Sequence, residues 1–152
     1  MSADTPRAGR RLGIDVGSVR VGVALSDPYA ILATPLATLA RDRGAADQRR
    51  IADLVHEHEV VEVVVGLPLH LSGAQSAASK EASAYSVAVA TLIEPVPVRL
   101  VDERLSTRAA SAALAAQGLD SRAQRGLVDQ TAAAIILQTW LDHLAHRRQE
   151  SP

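Results

Sequence analysis

Apolar and polar positions alternate through the first quarter of the chain. Arg11–Val16 (RLGIDV) and Arg20–Ser26 (RVGVALS) are short β-branched runs of period two, and the Gly17-Ser18-Val19 between them predicts an antiparallel hairpin. A third strand is predicted over 31–39. Ile51, Leu54, Val55 and His58 then recur at helical spacing, which predicts a helix over 47–58. Residues 60–66 (VVEVVVG) carry five valines in seven, the pattern of a strand covered on both faces. Residues 67–75, with Pro68 and Gly73, read as a loop. The next stripe, Tyr85, Ala88, Val89 and Leu92, predicts a helix; a strand follows over 96–101, with Pro97 near its start, where proline is tolerated. Ser106 caps a small-residue helix that ends at Gly118, and Ser121 with Gln124 fits a capping box for a last helix reaching about His146.

The predicted order is therefore β-β-β-α-β-α-β-α-α. An antiparallel meander followed by βα crossovers implies an α/β fold, a mixed five-stranded sheet with helices on both faces, which is the layout of a ribonuclease H-like domain. Flavodoxin-like and Rossmann folds begin βαβ instead. No repeat, low-complexity stretch or linker interrupts the pattern. One domain is expected over 10–146, with mobile polar ends at 1–9 and 147–152.

Composition narrows the chemistry. Of the 152 residues 47% are hydrophobic and 22% charged, which excludes disorder along the whole chain. Cysteine is absent, and with it disulfides, zinc–thiolate sites, iron–sulfur clusters and a cysteine nucleophile. No apolar run approaches the roughly 18 residues that cross a bilayer, and the start (MSADTPRAGRR) lacks the apolar core of a secretion signal. A cytoplasmic protein with no membrane partner is expected. A net charge of −1 argues against gripping nucleic acid through bulk charge. It leaves room for a few arginines around a small site, and Lys80 is the one basic residue that is not arginine. The abundance of alanine assigns most of that bias to a GC-rich genome.

Carboxylates mark the candidate site. In RLGIDVG, Leu12, Ile14 and Val16 project to one face of a strand while Gly13 and Asp15 project to the other. An ionised carboxylate in a core sheet is costly unless a cation or donors meet it. Gly13, Gly17 and Gly22 are expected to leave space for a ligand's backbone beside it. The competing reading is an aspartate that caps the Gly17 turn. Asp129 shares a helix face with Ala132, Ala133, Ile136 and Trp140, so it points at the sheet; against this stands an early-helix aspartate favoured by the dipole. Asp102 and Glu103 fall on opposite sides of the last strand's end, so one of them can face Asp15; an exposed acidic turn paired with Arg104 is the plainer alternative. Three inward carboxylates make a hard, all-oxygen site suited to Mg²⁺ or Mn²⁺. Two such ions about 3.5–4 Å apart would activate water and stabilise a leaving oxygen.

Other chemistry finds little support. His56 and His58, two apart on a helix, cannot face one ligand together, and His70 stands in a loop. No Ser-His-Asp set and no GxxxxGK[ST] loop occurs. Tyr29, Tyr85 and Trp140 offer no stacking platform for single-stranded bases, Trp140 being expected in the core. Arg41, Arg43, Arg49 and Arg50 form either a patch for RNA or protein, or a solvated helix face.

The segments GIDVGSVRVGVA (13–24), GLPLHLSG (66–73), DERLST (102–107) and VDQTAAAIIL (128–137) resemble the YqgF/RuvX family from about Gly13 to Leu141. These bacterial ribonuclease H-like proteins are described, provisionally, as Holliday junction resolvases and as pre-16S rRNA nucleases. Four motifs in order make the resemblance specific. It implies that Asp15, Glu103 and Asp129 are metal-binding catalytic acids. Arg20 and Arg104 would support the site or contact phosphate, and the expected nucleic-acid contacts are Arg20, Arg104, Arg108, Ser18 and Thr107. Ser106 stands where the family has the first threonine of DERxTT; hydroxyl and cap are both kept. Tyr85 stands where the family has phenylalanine, a residue this chain lacks altogether.

The leading expectation is a metal-dependent nuclease that matures the 5′ end of precursor 16S rRNA, with the pre-ribosomal small subunit as a partner. Cleavage of branched DNA, as by a Holliday junction resolvase, is the alternative within the same chemistry. It needs two sites in a symmetric homodimer, whereas a stable monomer favours RNA. An ATP-dependent module of the actin/Hsp70 type shares the GxDxG hairpin but needs two lobes. A non-catalytic nucleic-acid-binding assembly factor has no reason to bury mutually repelling carboxylates.

Overall fold

The computed structural model describes residues 8–69, 72–103 and 122–150, with side chains left out at 122–127, 148 and 150. The hairpin is as predicted: β1 (Arg11–Val16) and β2 (Arg20–Ser26) pair antiparallel, with Asp15 opposite Gly22, and the Gly17 N–H closes the turn on the Arg20 carbonyl. β3 (Ala33–Ala40) starts two residues later than expected, because the Asp27 carboxylate accepts the amides of Tyr29, Ile31 and Leu32 and folds that stretch into a turn. β4 (Glu62–Leu67) and β5 (Val98–Asp102) add parallel to β1, giving one five-stranded sheet in the order β3-β2-β1-β4-β5.

Side-chain alternation then sorts the helices. Leu12 and Ile14 face a core closed by α1 (Ala46–Glu57) and α2 (Ala77–Ile93) through Ile51, Leu54, Val55, Tyr85 and Val89. The other face carries α3 (Arg122–Glu150), which buries Ala133, Ile136, Leu137 and Leu141 against Ala24 and Val64. α3 runs four residues past the expected His146, so 147–150 are helical rather than part of a tail. Residues 8 and 9 are also described, and Gly9 lies against Val61. Among the described residues, no helix is long and apolar enough to cross a membrane.

Three expectations need correction. On α2 the residue that turns inward is Ile93, while Leu92 is exposed; both satisfy helical spacing from Val89, and only Ile93 meets the sheet. Trp140 is half-buried at the end of its stripe, and its indole N–H donates to Glu62 Oε1 at 2.7 Å. That carboxylate is buried and also accepts from Arg11 Nε (3.2 Å) and Arg99 Nε (3.1 Å). Trp140→Phe should therefore cost about 1 kcal/mol in chemical denaturation, the net worth of one such bond, because two arginines still compensate Glu62.

The third correction concerns the glycines. Gly13 and Gly22 admit no ligand, because α3 already occupies the space above them. A Cβ at Gly13 would stand 2.7 Å from Leu137 Cβ and 2.9 Å from the Ala133 carbonyl oxygen, and one at Gly22 would overlap the Asp129 carbonyl. Gly17 serves its tight turn, where a Cβ would meet the Arg20 carbonyl oxygen at 2.6 Å. The helix expected over 106–118, its Ser106 cap, the Ser121 and Gln124 capping pair and His70 lie outside the described residues or side chains.

Candidate active site

β1, β4 and β5 run parallel, so their carboxyl ends share one edge, where α/β sheets place their ligands. Asp15 stands there, half-buried near the end of β1 on the α3 face, and Glu103 directly follows β5. The Glu103 side chain reaches across β4 to hydrogen-bond Asp15. Gly66 makes that reach possible: a Cβ on it would stand 2.5 Å from Glu103 Oε1 and 2.6 Å from Ile136 Cδ1. In the sequence Gly66 is both the end of the valine strand and the start of the GLPLHLSG motif, with no role of its own. The available signal was a glycine ending a valine strand.

Asp129, in the second turn of α3, comes over Gly22, the residue paired with Asp15 across the hairpin. Its Oδ2 accepts from Arg20 Nε at 2.8 Å, with both side chains about three-quarters buried. Arg20, expected to support the site or meet phosphate, thus holds a carboxylate of the site. Ser18 is exposed at the hairpin tip. Arg104, Thr107 and Arg108 lie outside the described residues. Three of the four arginines of the suggested patch are engaged separately. Arg41 turns inward, Arg49 donates to the Gly44 carbonyl, and Arg50 pairs with Glu57.

The electrostatics of the pair follow from crowding. Burial, and then the charge of Asp129, push the Asp15 carboxyl from 3.8 up to about 6. Burial, then the charges of Asp15 and Asp102, push Glu103 up to about 7. Both carboxyls are thus raised toward neutrality, and Glu103, the higher of the two, is the donor to the Asp15 carboxylate when the pair holds a proton. Among the described residues no three His, Asp or Glu side chains lie close enough to hold one ion; Asp15 and Glu103 meet directly, and Asp129 is turned to Arg20. The donor chemistry still fits a hard divalent cation, since crowded carboxylate oxygens gain most from one.

The family described as RuvX, Holliday junction resolvase, matches residues 9–143. A protein of Mycobacterium leprae (strain Br4923), provisionally named a pre-16S rRNA nuclease, is 56% identical over 137 residues, covering 90% of this chain and 74% of its own. A protein of the same name from Rhodococcus opacus (strain B4) is 53% identical over 143 residues, covering 91% and 80%. In fold the chain is similar to Thermus thermophilus RuvC, solved with a Holliday junction substrate, at TM-score 0.56 and 16% identity over 88% of this chain and 93% of that one. A fowlpox virus Holliday junction resolvase aligns at TM-score 0.51 and 12% identity, covering 88% and 99%.

Proposed function

This chain belongs to the RuvX family, and from that membership we propose that it is a phosphodiester hydrolase that trims the 5′ end of precursor 16S rRNA, using a divalent cation held by Asp15, Glu103 and Asp129. The observation that carries the chemistry is the Asp15–Glu103 pair, two carboxyl groups brought together over Gly66 at the carboxyl edge of the sheet. A bound Mg²⁺ or Mn²⁺ supplies charge neutralisation at a phosphate and a water of lowered pKa. The residues do the rest. Asp15, fixed in its strand, and Glu103, once deprotonated, would hold the cation with their carboxylates. Asp129, which Arg20 holds in the structure, would complete the oxygen set once its carboxylate is released from that arginine. Arg20 and Ser18, with Arg104, Thr107 and Arg108, would meet the nucleic-acid backbone. The work belongs in the cytoplasm, on the pre-ribosomal small subunit.

Cation and proton compete for the same oxygens, which sets a pH dependence. Mn²⁺ affinity, measured by titration calorimetry without nucleic acid, should level off above about pH 7, fall about tenfold per pH unit from there to about 6, and fall more steeply, toward about a hundredfold per unit, below about 6, with about one proton released near pH 6.5. Affinity independent of pH across that range would remove the pair from the cation site.

Cleavage of four-way DNA junctions is the second reading, favoured by the description of the matching family. Labelled 16S rRNA 5′ leader and a four-way junction, incubated side by side with Mg²⁺ or Mn²⁺, separate the two. Loss of RNA cleavage in Asp15→Asn supports the proposal, whereas junction cleavage with the same dependence supports the second reading. Cutting of neither by the wild type leaves a binding factor.

A further inference from the structure

The sequence leaves Arg41 either in a surface patch or on a solvated helix face, yet its guanidinium meets Gly17, Glu81, Asp47 and Tyr85. It follows β3, and its backbone N–H donates to the Val19 carbonyl at 2.9 Å. Its Nη1 donates to the Gly17 carbonyl at 2.8 Å and to Glu81 Oε1 at 2.7 Å. Its Nε stands 3.8 Å from Asp47 Oδ2, and its guanidinium carbon lies 5.2 Å from the centre of the Tyr85 ring. Those partners are themselves fixed. Asp47 is buried near the start of α1 and accepts the Tyr85 hydroxyl at 2.8 Å. Burial and the Asp47 charge push the Tyr85 phenol well above its ordinary range, so it remains a donor at every working pH.

On the active-site side the Arg41 guanidinium grips the Gly17 carbonyl, in the same turn whose Val19 carbonyl is held by the Arg41 backbone. The Gly17 N–H is already bonded to the Arg20 carbonyl at 2.9 Å, so the Gly17 residue is clamped from both ends. Two residues before it stands Asp15, and three residues after it stands Arg20, the partner of Asp129. We propose that Arg41 is a positioning residue of the acidic site: braced by Asp47, Tyr85 and Glu81 on the far side of the sheet, it holds the β1–β2 turn and so fixes the relative placement of Asp15 and the Arg20–Asp129 pair. This rests on the acidic site proposed above. The physical reason for a brace is that a hairpin tip is otherwise the most mobile part of a sheet, whereas hard-cation sites lose affinity when their supporting partners are removed, typically 10- to 100-fold.

The test uses the full chain and two readouts that need no nuclease activity. In Arg41→Ala, amide hydrogen exchange at Gly17 should speed up by at least about tenfold while the core amides of Val63 and Val65 keep their protection. Mn²⁺ affinity should fall about tenfold or more. Tyr85→Phe, which keeps the ring and removes the bond to Asp47, should weaken Mn²⁺ binding by a smaller factor, and should do so only while Arg41 is present. A purely structural arginine would raise exchange across the whole sheet and show no such coupling, and that result overturns the proposal. Unchanged Gly17 exchange with unchanged Mn²⁺ affinity overturns it as well. So does a rise in KM for the RNA together with a salt dependence shallower by about one phosphate contact, because Arg41 would then touch substrate. If the wild type binds Mn²⁺ and cuts no nucleic acid, the nuclease reading fails while the Arg41 readouts still decide this inference.

Discussion

Asp15→Asn should abolish cleavage and make the protein more stable. The loss, read on labelled RNA leader with Mn²⁺, should reach about 1,000-fold or more, the scale of several kcal/mol that a charged ligand to a catalytic cation contributes. The gain has the same origin. A carboxyl whose folded pKa is raised binds its proton more tightly in the folded state. Stability is therefore highest below the unfolded value near 3.8, and is lost as pH rises through the folded value of about 6. Above that pH the wild type carries the cost of a buried Asp15 charge beside the charge of Asp129. An asparagine keeps the shape, removes one charge and lets Glu103 return toward its ordinary range. After allowance for the solvent-open rim, the stabilisation should be on the order of 1 to 2 kcal/mol at about pH 8 without divalent cations, vanishing by about pH 4. Thermal denaturation of both proteins at the two pH values checks it. A variant less stable at about pH 8, or one that still cuts RNA, would mean that Asp15 is a structural turn cap. A variant with a higher melting temperature and no activity carries the signature of a site held against the preference of the fold.

Much of this architecture was legible because local rules and the tertiary outcome agree. Period-two alternation placed Leu12 and Ile14 opposite Asp15, and the valine run marked β4 as covered on both faces; each strand appears within a few residues of its expected place. What escaped notice depends on partners far apart in the chain. Glu62, inside the valine run, is buried because Arg11, Arg99 and Trp140 converge on it from positions 51, 37 and 78 residues away. Asp47 and Tyr85 meet across 38 residues. No window of local sequence contains such a pair.

The candidate site shows the same division. Strand phase could nominate Asp15 and a helix face Asp129, whereas the strand end left Asp102 and Glu103 open and only the family resemblance singled out Glu103. Their actual relations could not be read that way: Glu103 bonded to Asp15 over Gly66, and Asp129 held off by Arg20. Glycines misled in a particular way. A missing side chain states that something comes close, and does not state whether the visitor is a ligand or another part of the same chain.

Gly22→Ala decides between those visitors. The new Cβ would overlap the carbonyl oxygen of Asp129 and crowd the Gln130 amide, both α3 backbone, which cannot swing aside as a flexible side chain would. α3 must lift from β2, and with it move Asp129 and loosen the seats of Ala133, Ile136 and Leu137. Overpacking of this kind should cost about 3 kcal/mol in urea denaturation, and displacement of one member of the acidic set should lower RNA cleavage about 100-fold. Gly44→Ala is the control: its Cβ would meet only the end of the Asp42 side chain at 3.1 Å, on an exposed turn, and both quantities should stay near the wild type. The two outcomes at Gly22 are physically distinct. Lost stability together with lost activity means that the glycine exists for the helix that delivers Asp129. Wild-type stability with weakened RNA binding would mean that nucleic acid, not α3, fills the space, and the docking of α3 over the hairpin would have to be abandoned along with Asp129 as a member of the site.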